Sequence, residues 1–195
     1  MYTSHLKHSL AVGATVLVLG TAGLGAAALA DEGSVQIPNP IVSYGTYGSA
    51  ARVLGFAPLT LSLDSGYAPD GFSVIGGRLA DLSFLRLGHP ETKVRIHTGL
   101  KKEINKEELS GIYGKEWHKQ HINKTNAEIA QLGPQSYAAR WETGNYVFAV
   151  QVEGMEPAAF RSLLANSLVE DTEHYFISME KNPEKNEKKS IYSSL

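Results

Sequence analysis

The stretch Ser136–Val152, with the sequence SYAARWETGNYVFAVQV, contains the clearest β-hairpin signal in the chain. Its turn residues, Glu142-Thr143-Gly144-Asn145, separate two runs that contain aromatic and β-branched side chains. The second run carries four large apolar residues at alternate positions: Tyr146, Phe148, Val150 and Val152. Because successive side chains of a strand point to opposite faces, these four share one face. The stretch predicts an antiparallel hairpin with one apolar face, on which aromatic cross-strand neighbours fit well.

Five more strands are predicted upstream of this hairpin, from alternation of apolar and polar residues or from β-forming residues. They are residues 72–75, 78–87, 93–98, 116–122 and 127–132. Pro69-Asp70-Gly71 predicts a turn before the first of them, and Gly76-Gly77 predicts a tight hairpin between the first two. The strands together predict an antiparallel sheet.

The strand 93–98 alternates strictly, so Val94 and Ile96 share one face while Lys93, Arg95 and His97 share the other. The apolar pair predicts a buried face and the basic set predicts a wet face. The three basic residues could form a small anion-binding stripe. Alternatively, they are a solvated strand face that discourages aggregation through a sheet edge.

Two helices are predicted at the ends of this set. Tyr44–Leu54 has apolar residues at helical spacing, Ser43 is available as its N-cap, and Gly55 stands where a left-handed residue commonly ends a helix. The second helix begins at Pro157, and its apolar stripe is made of Phe160, Leu163, Leu164 and Leu168. This stripe must lie on the sheet to be buried. The predicted fold class is α+β, a curved antiparallel sheet with a short N-terminal helix and a C-terminal amphipathic helix packed on it.

The first thirty residues predict a secretory signal peptide. A polar start with Lys7 precedes an apolar run, and the small residues Ala28 and Ala30 suit a signal peptidase that cleaves after Ala30. The alternative is an uncleaved anchor, although a run so rich in Gly and Ala is weakly apolar for a permanent span.

Composition divides residues 31–195 into three predicted parts. Prolines predict an extended arm over residues 31–42, and a single α+β domain is predicted over 43–178. The charged tail, residues 179–195, is predicted to be disordered. Within the domain, residues 101–119 carry charges of mixed sign with little apolar period. This segment predicts a mobile insertion with one helical turn.

The chain contains no cysteine. This excludes disulfides, thiolate metal sites, a cysteine nucleophile and a thioether-linked lipid anchor. Cleavage after Ala30 would remove Lys7 and no acid, which leaves 17 basic against 20 acidic side chains and a net charge of −3. That balance gives no reason to expect nucleic acid or an anionic membrane as a partner. Membrane contact is expected only through an uncleaved leader.

Four aromatic residues of the hairpin are the candidate ligand-binding residues: Tyr137, Trp141, Tyr146 and Phe148. They could line a groove for a peptide, a glycan or an acyl chain, or they could be sheet core and cross-strand pairs. His118 and His121 are the best metal candidates, but residues three apart face opposite sides of a strand and no third ligand is evident. Asp171, Glu173 and His174 form a polar cluster that is either a solvated connection or a divalent-cation site. No cofactor is expected.

Sequence strings typical of catalytic sites are missing. The chain has no Gly-x-Ser-x-Gly elbow, no His-Glu-x-x-His helix, no phosphate-binding loop and no dinucleotide fingerprint. Catalytic triads are assembled in space and need no such string. No candidate nucleophile is marked by its context, however, so the sequence favours a non-enzymatic protein.

The order of features resembles a known family. Leu54-Gly55-Phe56 ends a short helix, Tyr67-Ala68-Pro69-Asp70-Gly71-Phe72 follows, and a meander of strands leads to residues 141–150 and a helix over Met155–Leu168. Over residues 43–170 this order resembles an uncharacterised bacterial domain family of exported and membrane-anchored proteins from mostly Gram-positive organisms. The family also occurs as the outer domain of some anti-sigma-factor-like proteins. The resemblance implies a curved antiparallel sheet with packed helices, distantly similar to the half-barrels of lipoprotein carriers and envelope-stress sensors. It brings no catalytic residues.

These observations lead to three hypotheses of function. The leading one is a non-enzymatic exported domain, secreted or on the surface of a Gram-positive bacterium, that binds or senses a cell-envelope component or a protein partner. The first alternative is a carrier of an apolar ligand, a lipid or an acylated protein, with a cavity lined by the hairpin aromatics and by Leu163 or Leu164. The second alternative is a hydrolase, which requires polar groups that converge in a cleft.

We expect the mature protein to begin at Asp31. When a Gram-positive host produces the full chain, N-terminal sequencing of the secreted protein should read Asp31-Glu32-Gly33. The Ala28→Lys variant should keep its leader, because the peptidase accepts a small side chain at that position. The Gln36→Lys control, which changes the same charge beyond the cleavage site, should be processed normally. Secreted wild-type protein that retains Met1 would contradict the prediction.

Overall fold

The computed structural model describes residues 40–176, without the side chain of Tyr175. These residues contain eight strands: β1 (Ile41–Tyr44), β2 (Tyr67–Ile75), β3 (Leu79–Arg86), β4 (His89–Leu100), β5 (His118–Ile122), β6 (Thr125–Gly133), β7 (Ser136–Thr143) and β8 (Tyr146–Glu153). They also contain four α-helical elements: α1 (Tyr47–Leu54), α2 (Lys106–Ser110), α3 (Pro157–Leu163) and α4 (Val169–Asp171). The predicted signal peptide, most of the arm and the charged tail lie outside the described residues.

The strands form one open antiparallel sheet in the order β1-β2-β3-β4-β8-β7-β6-β5. Strands β1 to β4 run as a meander from one edge to the centre. The chain then crosses to the other edge, and β5 to β8 return as a second meander. The two meanders join where β8 pairs with β4, with Ile96 opposite Val150. The predicted antiparallel sheet is confirmed, and β7 and β8 are the hairpin expected over 136–152.

One face of the sheet, called here the apolar face, carries the main hydrophobic core. Its centre consists of fully buried side chains of β3, β4, β7 and β8: Leu82, Ile96, Trp141, Phe148 and Val150. Burial of a large apolar side chain contributes about 1.5–3 kcal/mol before conformational entropy is counted. Helix α1 packs here through Tyr47, whose ring centroid lies 6.3 Å from that of Phe72 on β2.

The C-terminal helical segment covers the other half of the apolar face. It begins at Pro157 as predicted, and wider π-helical turns over Leu164–Leu168 and Thr172–Phe176 continue α3 and α4. The predicted stripe is buried at Phe160, Leu164 and Leu168. No helix within residues 40–176 is both long and apolar enough to cross a membrane.

Helix α1 begins later than predicted. Thr46 is its N-cap, and the Thr46 hydroxyl oxygen accepts a hydrogen bond from the Ser49 backbone N–H at 3.2 Å. The expected cap, Ser43, lies in β1 instead, and its hydroxyl lies 3.2 Å from that of Ser73 on β2. The helix ends where predicted, before Gly55, which adopts left-handed geometry with φ of 73°.

The turn predicted at Pro69-Asp70-Gly71 is wrong, because these residues lie inside β2. The register against β3 shifts between Pro69 and Gly71, as in a β-bulge. Proline can occupy this position because β1 pairs only with residues 72–75 of β2, so the proline nitrogen is not required for that ladder.

The prediction for residues 101–119 is corrected in part. The segment contains the expected short helix, α2, but it packs on the sheet rather than standing apart as an insertion. Ile104 and Leu109 are buried with Val147 and Ala149 on the face opposite the apolar face. Gly99 of β4 makes room for them, because a Cβ there would lie 2.6 Å from Ile104 Cγ2 and 3.1 Å from Leu109 Cδ1.

The Gly99→Ala variant should lose about 1–3 kcal/mol of unfolding free energy, the usual cost of overpacking a core. Urea denaturation followed by circular dichroism measures this. The Gly48→Ala control lies in α1, where an added Cβ would meet nothing within 4 Å, and it should gain up to about 1 kcal/mol from helix propensity. In an Ile104→Ala background the Gly99 substitution should cost less, because the methyl group that it meets is gone. An equal cost in both backgrounds would show that no clash exists.

Candidate functional site

A row of directly opposite residues crosses the second face of the sheet, called here the polar face. From β3 to β5 the row is Asp81, His97, Ala149, Arg140, Glu128 and Lys119. Five of the six can carry charge, and four of those five come from inner strands of the sheet. Helix α2 covers part of this row and shields it from water. The buried charges of the row therefore need ionic or hydrogen-bonding partners from α2 or from one another.

The first half of the row is centred on Arg140, whose side chain is only 10 % exposed. Arg140 Nε donates to Glu128 Oε2 at 2.7 Å, and Lys106 Nζ of α2 donates to the other carboxylate oxygen at 2.8 Å. A second acid from α2, Glu107, lies 3.4 Å from Arg140 Nη2. The Trp117 ring covers the guanidinium at 4.1 Å, within the range of a cation–π contact.

Partial burial by itself raises the pKa of Glu128, but the hydrogen bonds from Lys106 and Arg140 outweigh it and hold the pKa below the usual glutamate range. The carboxylate therefore stays ionised and binds two cations at once. One of these cations belongs to the sheet and the other to α2, so the pair of contacts fixes α2 in place.

The second half of the row consists of the buried Asp81 and His97, which the half-exposed Arg95 joins from the neighbouring position on β4. Arg95 donates two hydrogen bonds to the Asp81 carboxylate, from Nε to Oδ1 at 2.6 Å and from Nη2 to Oδ2. His97 Nδ1 lies 2.8 Å from the Leu109 carbonyl oxygen of α2, and since a carbonyl only accepts, Nδ1 carries a proton. The other ring nitrogen, Nε2, lies 3.2 Å from Asp81 Oδ1, off the line of a good hydrogen bond. Beside this group, Gln151 Nε2 of β8 donates a hydrogen bond to the Ser110 carbonyl oxygen of α2 at 3.0 Å.

This group corrects the wet face predicted for strand 93–98 at one position, His97. His97 is only 9 % exposed, and the Arg95 charge is matched by Asp81. Burial alone raises the pKa of Asp81, but its contacts with Arg95 and His97 outweigh burial and hold the pKa well below the usual aspartate range. Of the three basic residues, Lys93 and Arg95 keep the exposed position that the alternation predicts, and only Lys93 has no acidic partner within residues 40–176.

Beside α2 the surface opens into two neighbouring cavities, called here the lysine cleft. The larger has a volume of about 590 Å³ and the smaller about 390 Å³, and Lys106 and Asn126 line both. Their charged lining consists of Lys101, Lys106, Lys119, Lys124, Glu128, Glu142 and Glu173, with His121 and His174 at the margins. The residues come from α2 and the turn before it, from β5 to β7 and from the C-terminal helical segment.

The walls of the lysine cleft are held by side-chain hydrogen bonds. Glu173 Oε1 accepts from the Lys124 backbone N–H at 2.8 Å and from the Thr125 hydroxyl at 2.7 Å. The neighbouring Asn123 amide donates to the Ala165 carbonyl at 2.6 Å. These bonds tie the β5–β6 turn, where Asn123 has φ of 53°, to the C-terminal helical segment. The cleft is therefore largely preformed.

The four candidate aromatic residues lie in the core. The exposed fractions of Tyr137, Trp141, Tyr146 and Phe148 are 8, 1, 9 and 0 %. Trp141 stacks on Phe148 with 5.5 Å between centroids, and its Nε1 donates to the Thr172 hydroxyl at 3.1 Å. The rings contact one another and the C-terminal helical segment and line no open groove in this structure. Their role in ligand binding stays a prediction.

The two candidate metal-binding histidines are separated from each other. His118 and His121 lie on β5, opposite Ile129 and Asn126 respectively, and their separation of three places them on opposite faces. His121 Nδ1 lies 3.0 Å from Asn126 Oδ1. Burial, with the neighbouring Glu170 charge, raises the pKa of Asp171. Within residues 40–176 no three His, Cys, Asp or Glu side chains are placed to hold one metal ion.

The residues that sequence reasoning missed are those whose partners are distant along the chain. Asp81, Glu128 and Arg140 each read as the polar member of an alternating strand. Pairing strand 78–87 with 93–98 would have placed Asp81 beside the basic residues. Pairing 127–132 with 136–141 would have placed Glu128 opposite Arg140. Nothing local indicates that α2 supplies Lys106 to the same carboxylate.

The Asp81→Asn variant should lose about 2 kcal/mol of unfolding free energy at neutral pH. Removal of one member of a fully buried ion pair costs about 3–5 kcal/mol, and the half-exposed Arg95 reduces this. Because folding lowers the pKa of Asp81, its stabilising contribution is present above the unfolded pKa of about 4 and is lost as the pH falls below that value.

Urea denaturation at several pH values measures the difference between wild type and Asp81→Asn. That difference should shrink as the pH falls from about 5 to about 3. The Asp64→Asn control alters an exposed loop carboxylate and should leave the unfolding free energy nearly unchanged. A difference that stays constant over this range would contradict the prediction.

The chain matches no known protein family. No curated protein and no solved structure matches it either. The resemblance to the exported bacterial domain family stays a prediction.

Proposed function

We propose that this chain is a non-enzymatic exported domain that binds a component of the bacterial cell envelope, and that the lysine cleft is its binding site. The predicted leader supports the location. The observation that carries the choice of site is the cleft itself, a preformed opening of about 590 Å³ lined by charged and polar side chains from separate parts of the chain. Sites of this size are typical for small ligands or for one group of a larger ligand.

The lining of the cleft favours a polar ligand over an apolar one. Its side chains include Lys101, Lys124 and Asn126, which offer ammonium and amide donors. An apolar carrier would need the hairpin aromatics to line a cavity, whereas these rings are packed against Phe160 and Phe176. A carrier would therefore have to open the core before it could load, which the preformed cleft does not require.

The rigid sheet beneath the cleft supports a binding role. The ion pair of Lys101 with Glu142, at 3.0 Å, lies at one side, and Glu173 holds the opposite wall. Groups held in this way lose little conformational entropy when a ligand binds, so binding energy is retained.

Co-sedimentation of the mature protein, purified after secretion so that it lacks the apolar leader, with isolated Gram-positive cell walls and with membrane vesicles from the same cells tests the proposal. Wild-type protein should sediment with at least one of these fractions, and Lys124→Glu should lose most of that binding because it reverses a cleft charge. The Lys93→Glu control makes the same charge change on an exposed strand position outside the cleft lining, and it should bind as wild type does.

Two outcomes would refute the proposal. Wild-type protein could stay in solution with both fractions, which would exclude the envelope as its target. Alternatively, Lys124→Glu could sediment as well as wild type, which would exclude the lysine cleft as the site.

A further inference from the structure

We infer that the lysine cleft recognises a phosphate group, and that binding is transmitted to α2 through Lys106. This inference rests on the proposed function, because it names the ligand class of the same site and the element that responds. It follows from three features of the described residues: an excess of cationic groups in the cleft, the type of these groups, and the double role of Lys106.

The cleft has unmatched positive charge although the chain as a whole is acidic. Four lysines and three glutamates line its two cavities. Glu142 pairs with Lys101, and Glu128 binds Lys106 together with Arg140. The third acid, Glu173, accepts from a backbone N–H and a hydroxyl through Oε1 and keeps its negative charge, so the lysines and glutamates of the lining have a net charge of +1. Within residues 40–176 the ammonium groups of Lys119 and Lys124 therefore have no carboxylate partner within ion-pairing distance.

The donors of the cleft suit a phosphate group. The planar fork of arginine binds carboxylates and phosphates alike, and both arginines of the polar face, Arg95 and Arg140, are already bound to acids, so the free cationic groups of the cleft are lysines. Lysine ammonium groups are compact point charges that can approach a tetrahedral phosphate from several sides. Asn126 adds a neutral donor, because its Oδ1 contacts His121 and its NH₂ group remains for a ligand.

Lys106 belongs both to the cleft and to the contacts that hold α2. It lines both cavities, its Nζ lies 2.8 Å from Glu128 Oε1, and its side chain is 27 % exposed. A phosphate that attracts this ammonium competes with Glu128 for it. Glu128 then keeps only Arg140 as a partner, and the Arg140 guanidinium lies 4.1 Å from the Trp117 ring. Binding in the cleft thus reaches the indole through two ion pairs, Lys106 with Glu128 and Glu128 with Arg140, and one cation–π contact.

The two tryptophans of the chain provide the readout, because Trp117 lies beside this network and Trp141 is buried on the apolar face. The full chain is labelled with 5-fluorotryptophan and its two ¹⁹F resonances are assigned with Trp117→Phe. Inorganic phosphate is then titrated at constant ionic strength, so that simple screening is held fixed. The Trp117 resonance should shift in a saturable way, and that of Trp141 should stay in place.

Three variants separate the steps. Lys124→Ala should weaken phosphate binding about tenfold, the effect of losing one charge-assisted contact, while Lys93→Ala should bind as wild type does. Lys106→Ala should displace the Trp117 resonance before any phosphate is added and should abolish its response. This variant keeps a folded core, which the unchanged Trp141 resonance would verify.

Several outcomes would overturn the inference. They are the absence of a saturable Trp117 shift up to tens of millimolar phosphate, an equal response to acetate at matched ionic strength, or an unchanged affinity in Lys124→Ala. If the titration fails while Lys124→Glu still loses binding to the envelope fractions, the proposed function stands and its ligand is of another class. If Lys124→Glu sediments as wild type does, the proposed function itself fails.

Sedimentation with vesicles identifies the source of the phosphate. Binding to phosphatidylglycerol vesicles, and not to phosphatidylcholine vesicles, would assign the group to an anionic lipid headgroup. A positive titration without vesicle binding would assign it to a soluble or wall-attached phosphate. Both results satisfy the inference.

Discussion

The crossover between the two meanders is the constraint on which the rest of this structure depends. The chain leaves β4 at the centre of the sheet and must reach β5 at its edge, so it passes over β8, β7 and β6. At about 4.8 Å per strand this is a distance of roughly 19 Å. The crossing segment, which includes α2, has to lie on one face of the sheet and bury what lies beneath it. Gly99 provides the space for this, and Ile104 and Leu109 provide the apolar contact.

The charged row under α2 positions the crossover more than it stabilises the fold. Removing Arg140, Glu128, Asp81 and His97 from water is costly, and their mutual attraction roughly offsets that cost. What the row provides is a set of fixed contacts for α2, because Lys106 and Glu107 meet Glu128 and Arg140 and the Leu109 carbonyl meets His97. The apolar face, with Trp141 and the C-terminal helical segment, supplies most of the hydrophobic stabilisation.

The two faces meet at the lysine cleft. Lys106 reaches it from the polar face, and Glu173 reaches it from the helical segment that covers the apolar face. The turn at Asn123 and Lys124 lies between them and is tied to the helical segment by hydrogen bonds. The beginning of α2 is held at the cleft by ion pairs of Lys106 and Glu107, whereas Leu109 near its end and the C-terminal helical segment are held by apolar contacts. A site of this kind can be preformed on one side and responsive on the other.

Local patterns in the sequence were sufficient to determine most of the strands, the hairpin over 136–152 and the start of the C-terminal helix at Pro157. Alternation and turn chemistry act between residues close along the chain, so they are visible in one sequence. Strand order, the β4–β8 pairing and the packing of α2 were decided only by the tertiary structure. The groups that form the cleft, such as the Lys106 ammonium with the Glu128 carboxylate and the Lys124 backbone N–H with the Glu173 carboxylate, are separated by 22 and 49 residues. These contacts depend on distance in space, and no local period records which distant group a residue will meet.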